Sequence, residues 1–168
     1  MVTIRCTQKL LRRIRSELSP SESDTLLGDW YANILFTRWQ HVILCVSERT
    51  LLPVVVTARA ANELGTHLSQ SLQQLLPQLG VSEQQVKVEI AKMSPVLFAP
   101  TRNKRILGTM NSLMDDLSWY LGEHPKISLL EASLHLAETP CAPIEFESPN
   151  NLTAQLFAHM ERSGAAVQ

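Results

Sequence analysis

The spacing of apolar positions changes near residue 58. Between residues 27 and 57 they come in runs of strand length, 30–37, 41–47 and 52–57, rich in Val, Ile and aromatic side chains. The intervening Arg38-Trp39-Gln40 and Glu48-Arg49-Thr50-Leu51 are too short for a parallel crossover, so these runs are predicted to pair antiparallel. Both alternation phases are apolar, as in Val42/Leu44/Val46 and Ile43/Cys45, which predicts a sheet covered on both faces. Residues 4–6 are expected to add an edge or partner strand.

Beyond residue 58 the period becomes helical. Leu64, Leu68, Leu72, Leu76 and Leu79 form one stripe, ending near Pro77 and Gly80. Ser82-Glu83-Gln84-Gln85 has the form of a capping box, ahead of Val86, Ile90 and Met93. Residues 95–99 have strand length, between Pro95 and Pro100, which weigh against an interior strand. A helix over 103–121 would bury Ile106, Met110, Leu113, Leu117 and Leu121. A second capping box opens at Ser128, with Leu130, Leu134 and Ala137 behind it. The last helix starts with Ser148 as cap and Pro149 at its first position, faces inward with Leu152, Leu156 and Met160, and frays over 163–168. Upstream of the sheet, residues 7–18 read as a short helix capped by Thr7. Leu10, Leu11, Ile14 and Leu18 lie on one face and arginines mostly opposite; the polar loop 19–24 stops it. The predicted fold class is α+β: an antiparallel β-meander near the N-terminus packed against about five helices, in one globular domain over 1–168.

Composition adds limits. With 45 % apolar and 18 % charged residues in 168, the chain can build a sizeable core. A formal net charge of −1 excludes a uniformly basic nucleic-acid binder and an acidic disordered chain. No apolar run reaches the roughly 18 residues of a membrane span, so no membrane is expected. The first residues lack the order of a signal peptide. Cys6, Cys45 and Cys141 make an odd number without export signal, which points to reduced thiols and a cytoplasmic protein. The near-neutral total hides an asymmetry: residues 1–19 hold five basic side chains and one acid, leaving −5 for the remainder.

Candidate chemistry is sparse. The cysteines and five histidines show no C-x-x-C or paired-histidine spacing, so no metal site is expected. Neither a nucleophile elbow nor a phosphate-cradling glycine loop is present, so no catalytic residue and no cofactor are assigned. Cys45 sits in an apolar strand as a small hydrophobe, and Cys141 in the rigid Thr139-Pro140-Cys141-Ala142-Pro143. Three polar clusters interrupt the apolar pattern. Asp29, in Gly28-Asp29-Trp30-Tyr31, either bonds turn amides or lines a shallow site beside two aromatics. Glu48 and Arg49 form either a polar turn or a general base with an anion clamp. Arg102, Lys104 and Arg105 stand at a helix start, the end that already favours anions, and lead through Gly108 to Asn111. They are either a solvated basic face or an anion site. Gly108 costs about 1 kcal/mol relative to Ala inside a helix, which close approach of a backbone or ligand would explain.

The blocks Ile4-Arg5-Cys6-Thr7-Gln8-Lys9-Leu10-Leu11, Leu27-Gly28-Asp29-Trp30-Tyr31-Ala32-Asn33, Cys45-Val46-Ser47-Glu48-Arg49-Thr50-Leu51-Leu52-Pro53, Leu107-Gly108-Thr109-Met110-Asn111 and Leu136-Ala137-Glu138-Thr139-Pro140-Cys141 resemble those of a family of small prokaryotic proteins of unknown function. The resemblance implies a protein whose relatives are sometimes joined to a plasmid Orf3-type domain, hence an association with mobile genetic elements. It assigns no reaction and no ligand.

Three functions fit the sequence. The first is a non-enzymatic binding or regulatory module, tied to mobile elements or an antitoxin-like system. It would contact nucleic acid or a protein partner through Arg5, Arg12, Arg13 and Arg15 together with Arg102, Lys104 and Arg105. The second is a small enzyme acting on a phosphate-containing or nucleotide substrate, with Asp29 or Glu48 as acid/base and Arg49 and Arg105 stabilising negative charge. The third is a homo-oligomeric structural protein anchored by Trp30, Tyr31 and Trp39.

Overall fold

A five-stranded mixed sheet in the order β4-β3-β2-β1-β5 carries the molecule. The computed structural model describes residues 1–165. Strands β2 (Trp30–Phe36), β3 (His41–Ser47) and β4 (Pro53–Thr57) form the antiparallel meander expected from their short connections. The N-terminal strand β1 (Val2–Cys6) lies parallel to β2 on one side and to β5 (Val96–Pro100) on the other. It is an interior strand rather than an edge, and all five of its residues are buried. Proline is tolerated at the ends of β5 because that strand is the edge. Its outer side meets only the single bridge Leu18–Phe98, where the Ser19 N–H donates to the Phe98 carbonyl at 2.8 Å.

That bridge shortens the first helix. The sequence predicts helix over 7–18, but α1 is only Gln8–Leu11. The Arg15 N–H, which a continuing helix would use internally, donates instead to Asn62 Oδ1 at 3.1 Å, and residues 18–19 run along β5. Leu10 and Ile14 still reach the core, while Leu18 is 53 % exposed.

Helices cover both faces, as the two apolar phases require. One face presents Val2, Ile4, Cys6, Trp30, Ala32, Ile34 and Ile43 to α1, α2 (Leu64–Gln78), α3 (Glu83–Lys92) and α6 (Pro149–Ala165). The other presents Tyr31, Val42, Leu44 and Val46 to α4 (Lys104–Glu123) and α5 (Leu129–Ala137). Both predicted capping boxes form. The hydroxyls of Ser82 and Ser128 accept from the N–H groups of Gln85 and Glu131, whose side chains accept from the cap backbones. Asn103 caps α4 through Oδ1, 2.9 Å from the Arg105 nitrogen. The last helix is turned slightly from the expected stripe: Leu152 and Leu156 are half-buried, with Leu156 against the core, and the residues next to them go deeper. Pro149, Thr153 and Phe157 are buried, whereas Met160 is exposed. Thr153 fits because its hydroxyl donates to Thr50 Oγ1 at 2.8 Å. The fraying expected over 163–168 lies partly outside the described residues; 163–165 continue α6. The β4 edge is blunted by α5, where Ser133 Oγ accepts from the Val55 N–H at 2.8 Å.

Candidate nucleic-acid interface

The parallel pairing of β1 with β2 places Arg5 beside Tyr31 on the α4 side of the sheet, directly above the turn that holds Asp29. Arg5 Nε donates to Asp29 Oδ2 at 2.6 Å, and the two residues are 3 % and 1 % exposed. Asp29 Oδ1 accepts from both the backbone N–H and the hydroxyl of Ser23, each at 2.8 Å. From the segment after β5, Arg102 Nη2 reaches Glu22 Oε1 at 3.3 Å, Glu48 Oε1 at 3.6 Å and Asp29 Oδ2 at 3.7 Å. Arg5 Nη2 and the Tyr31 hydroxyl are buried here without a hydrogen-bond partner in the protein. Burial holds the Tyr31 hydroxyl above its ordinary pKa, and the neighbouring Arg102 works against that shift.

The structure thus gathers Arg5, Asp29, Glu48 and Arg102 from four distant segments. Chemically the cluster is a clamp. Asp29 Oδ2 is engaged by buried Arg5 and Oδ1 by half-buried Ser23, so the carboxylate ties the 22–29 loop to β1. Gly28 completes the turn with φ of +77°, and a Cβ there would lie 3.2 Å from Arg49 Cγ. Ser47 Oγ accepts from the N–H groups of Thr50 and Leu52, so 47–50 is a polar turn. Arg49 Nη1 donates to the Leu26 carbonyl at 3.1 Å at the rim of a different groove, between α3 and α6.

Lys104 and Arg105 border yet another groove, facing the 139–143 segment and Phe146. Asn111 is exposed on α4. A Cβ on Gly108 would meet nothing within 4 Å, so neither backbone packing nor the sheet accounts for this glycine. The acid/base constellation of Asp29, Glu48, Arg49 and Arg105 is not assembled at one point. Nor do the N-terminal arginines and the 102–105 cluster add into one seven-charge face, because Arg5 is sealed in the sheet and Arg102 is held by carboxylates. The three thiols are buried and free. Burial pushes Cys6 up to about 12 and raises Cys45 and Cys141 as well, which disfavours the thiolate. Among the described residues, no three His, Cys, Asp or Glu side chains are placed to hold a metal ion.

The remaining N-terminal charges meet new neighbours at the tip of the β2–β3 hairpin. Lys9 Nζ lies 4.7 Å and Arg13 Cζ 4.8 Å from the ring centroid of Phe36, the last residue of β2. The His41 ring packs edge-on against the same phenyl at 4.9 Å. Across the turn, Arg38 Cζ is 5.3 Å from the Trp39 ring, which is 61 % exposed. Arg13, Arg38, Trp39, His41 and Arg59 line a concavity of about 710 Å³. Segments 7–15, 36–41 and 57–62 carry six basic residues and no acid: Lys9, Arg12, Arg13, Arg15, Arg38 and Arg59. Among the described residues, none of the six forms an ion pair. Sequence reasoning found Arg12, Arg13 and Arg15 here, and Trp39 as a surface anchor, but missed Phe36, Arg38, His41 and Arg59. The adjacent Arg38-Trp39 in a hairpin connection was the one local signal available. Of the three proposed aromatic anchors, Trp30 and Tyr31 are core residues and only Trp39 is on the surface.

The chain belongs to the family defined by a domain of unknown function, DUF6933, whose model matches residues 3–152. No curated protein matches it. Among the described residues, no helix is long and apolar enough to cross a membrane.

Proposed function

We propose that this protein is a non-enzymatic binding module whose ligand is nucleic acid, held on the face formed by Lys9, Arg12, Arg13, Arg15, Arg38 and Arg59. One observation carries the reading. Lys9 and Arg13 meet at Phe36, Arg13, Arg38 and Arg59 share one concavity, and Arg12 and Arg15 lie in the same acid-free segment, all without ion pairs in a chain whose net charge is −1. An unbalanced basic face with aromatic side chains set among the charges is the footprint of a polyanion site. A small regulator of this kind, acting in the cytoplasm where its buried thiols stay reduced, suits the mobile-element and antitoxin-like setting that the family resemblance implies.

Phosphate contacts release counterions, so affinity depends on salt. Six contacts give a log–log slope of roughly −4 to −5. Titration of labelled DNA and RNA against the full chain over a range of salt concentrations tests this. Arg13→Glu with Arg38→Glu is expected to abolish binding, while Lys104→Glu with Arg105→Glu, on the other groove, leaves it intact. Salt-independent binding, or no binding to any nucleic acid, would sink the proposal.

A further inference from the structure

Within that basic face, and resting on the reading just given, we infer that the ligand is single-stranded nucleic acid with one base stacked on Trp39. The aromatic side chains of the face divide their roles by geometry. Phe36 is already occupied, with two cations within 5 Å of its centroid and the His41 ring packed edge-on against it. Its task is to fix the Lys9 and Arg13 charges in place. Trp39 has the Arg38 guanidinium over its ring and exposes 61 % of its surface. Trp119 and Phe146 are also exposed, but of these side chains Trp39 is the one set among unpaired cations in an acid-free concavity.

The turn itself is closed by hydrogen bonds. The Thr37 N–H donates to the Gln40 carbonyl at 3.2 Å, the Gln40 N–H donates to Thr37 Oγ1 at 3.0 Å, and the Thr37 hydroxyl closes back onto the same carbonyl. The backbone that carries the indole is therefore held in place before binding, which lowers the ordering cost. Around it, Arg13, Arg38 and Arg59 line a concavity of about 710 Å³, within the range that holds a small-molecule-sized unit such as one nucleotide. Cations and an exposed indole lining the same concavity match alternating phosphate and base. In a duplex the base faces are already stacked on each other and offer the indole nothing. Stacking needs an unpaired strand, and because every base has a π-face it reads little sequence.

The experiment uses the full chain with fluorescence anisotropy of a labelled oligothymidylate and of a mixed-sequence duplex of matched length. The wild type is expected to bind the single strand more tightly than the duplex. Trp39→Ala is expected to weaken single-strand binding by about tenfold, the scale of one base stack, with little change for the duplex. Trp39→Phe, which keeps a ring, should retain most of the affinity. A thermal melt of each variant checks that this exposed position leaves the fold unchanged. Equal affinity for both strand forms, with Trp39→Ala silent, would overturn the single-strand inference while leaving the basic-face reading standing. Absence of salt-dependent binding to either oligonucleotide overturns both. So does binding of poly-glutamate as tight as that of nucleic acid, since the face would then take an acidic protein.

Discussion

Arg5 and Asp29 form an ion pair of 2.6 Å sealed between the sheet and α4, and they join the first strand to the loop that precedes the second. The two partners are not equally placed. Asp29 has two Ser23 donors and a second guanidinium, Arg102, at 3.7 Å. Arg5 has only a long 3.4 Å contact from Nη1 to the Pro100 carbonyl besides Asp29, and its Nη2 is orphaned.

Losing one member of a buried pair leaves the other charge without compensation, at about 3–5 kcal/mol. Asp29→Ala strands Arg5 and is expected to cost that full amount. Arg5→Met leaves Asp29 with its Ser23 donors and Arg102, so it should cost distinctly less. Urea unfolding of the two variants measures both. Equal losses, or the reverse order, would mean that Asp29 is not the sole anchor of the Arg5 guanidinium.

Glu89 supplies a pH test. Its two oxygens accept from the Leu26 and Leu27 N–H groups at 2.8 and 3.0 Å, and it is buried. Burial raises its pKa above the ordinary 4.5, with the two backbone hydrogen bonds only partly offsetting that. The folded state therefore holds this proton more firmly than the unfolded chain. Its contribution to stability is fully present below the ordinary value and is lost as pH rises through the raised one. Glu89→Gln does not titrate, so the variant should gain on the wild type in thermal melts as pH rises from the ordinary 4.5 toward neutrality. A constant gap across that range would contradict the assignment.

Two helical glycines should respond in opposite directions. A Cβ on Gly65 would collide with Val96, lying 2.9 Å from Cγ1 and closer still to Cγ2. Gly65→Ala is expected to lose about 1–3 kcal/mol by overpacking, and adding Val96→Ala should recover part of it. Gly108 faces open space, so Gly108→Ala should gain up to about 1 kcal/mol from helix propensity. Denaturation midpoints decide both. Destabilisation by Gly108→Ala would show that something besides solvent occupies that position.

Much of the architecture was legible because it rests on local rules. Ser82 and Ser128 announce their helices, since a cap is satisfied by a residue three positions away. The meander follows from connections too short to cross over. The misreadings share another cause. α1 stops at Leu11 because Asn62 takes the Arg15 N–H and β5 takes Leu18, partners 47 and 80 residues away. α6 buries Thr153 because Thr50 offers its hydroxyl from across the chain.

For the candidate site the division is sharper. The sequence by itself determined that Arg12, Arg13 and Arg15 form a basic run and that an Arg-Trp pair sits in a hairpin connection. Only the tertiary structure decided which charges are available. It buried Arg5 against Asp29, paired Arg102 with Glu22 and Glu48, and brought Lys9 and Arg13 onto Phe36 beside Arg38, Trp39 and Arg59. The reason is physical. Periodicity and capping act over three or four residues, whereas the free energy of a charge depends on its neighbours through space, whatever their separation along the chain.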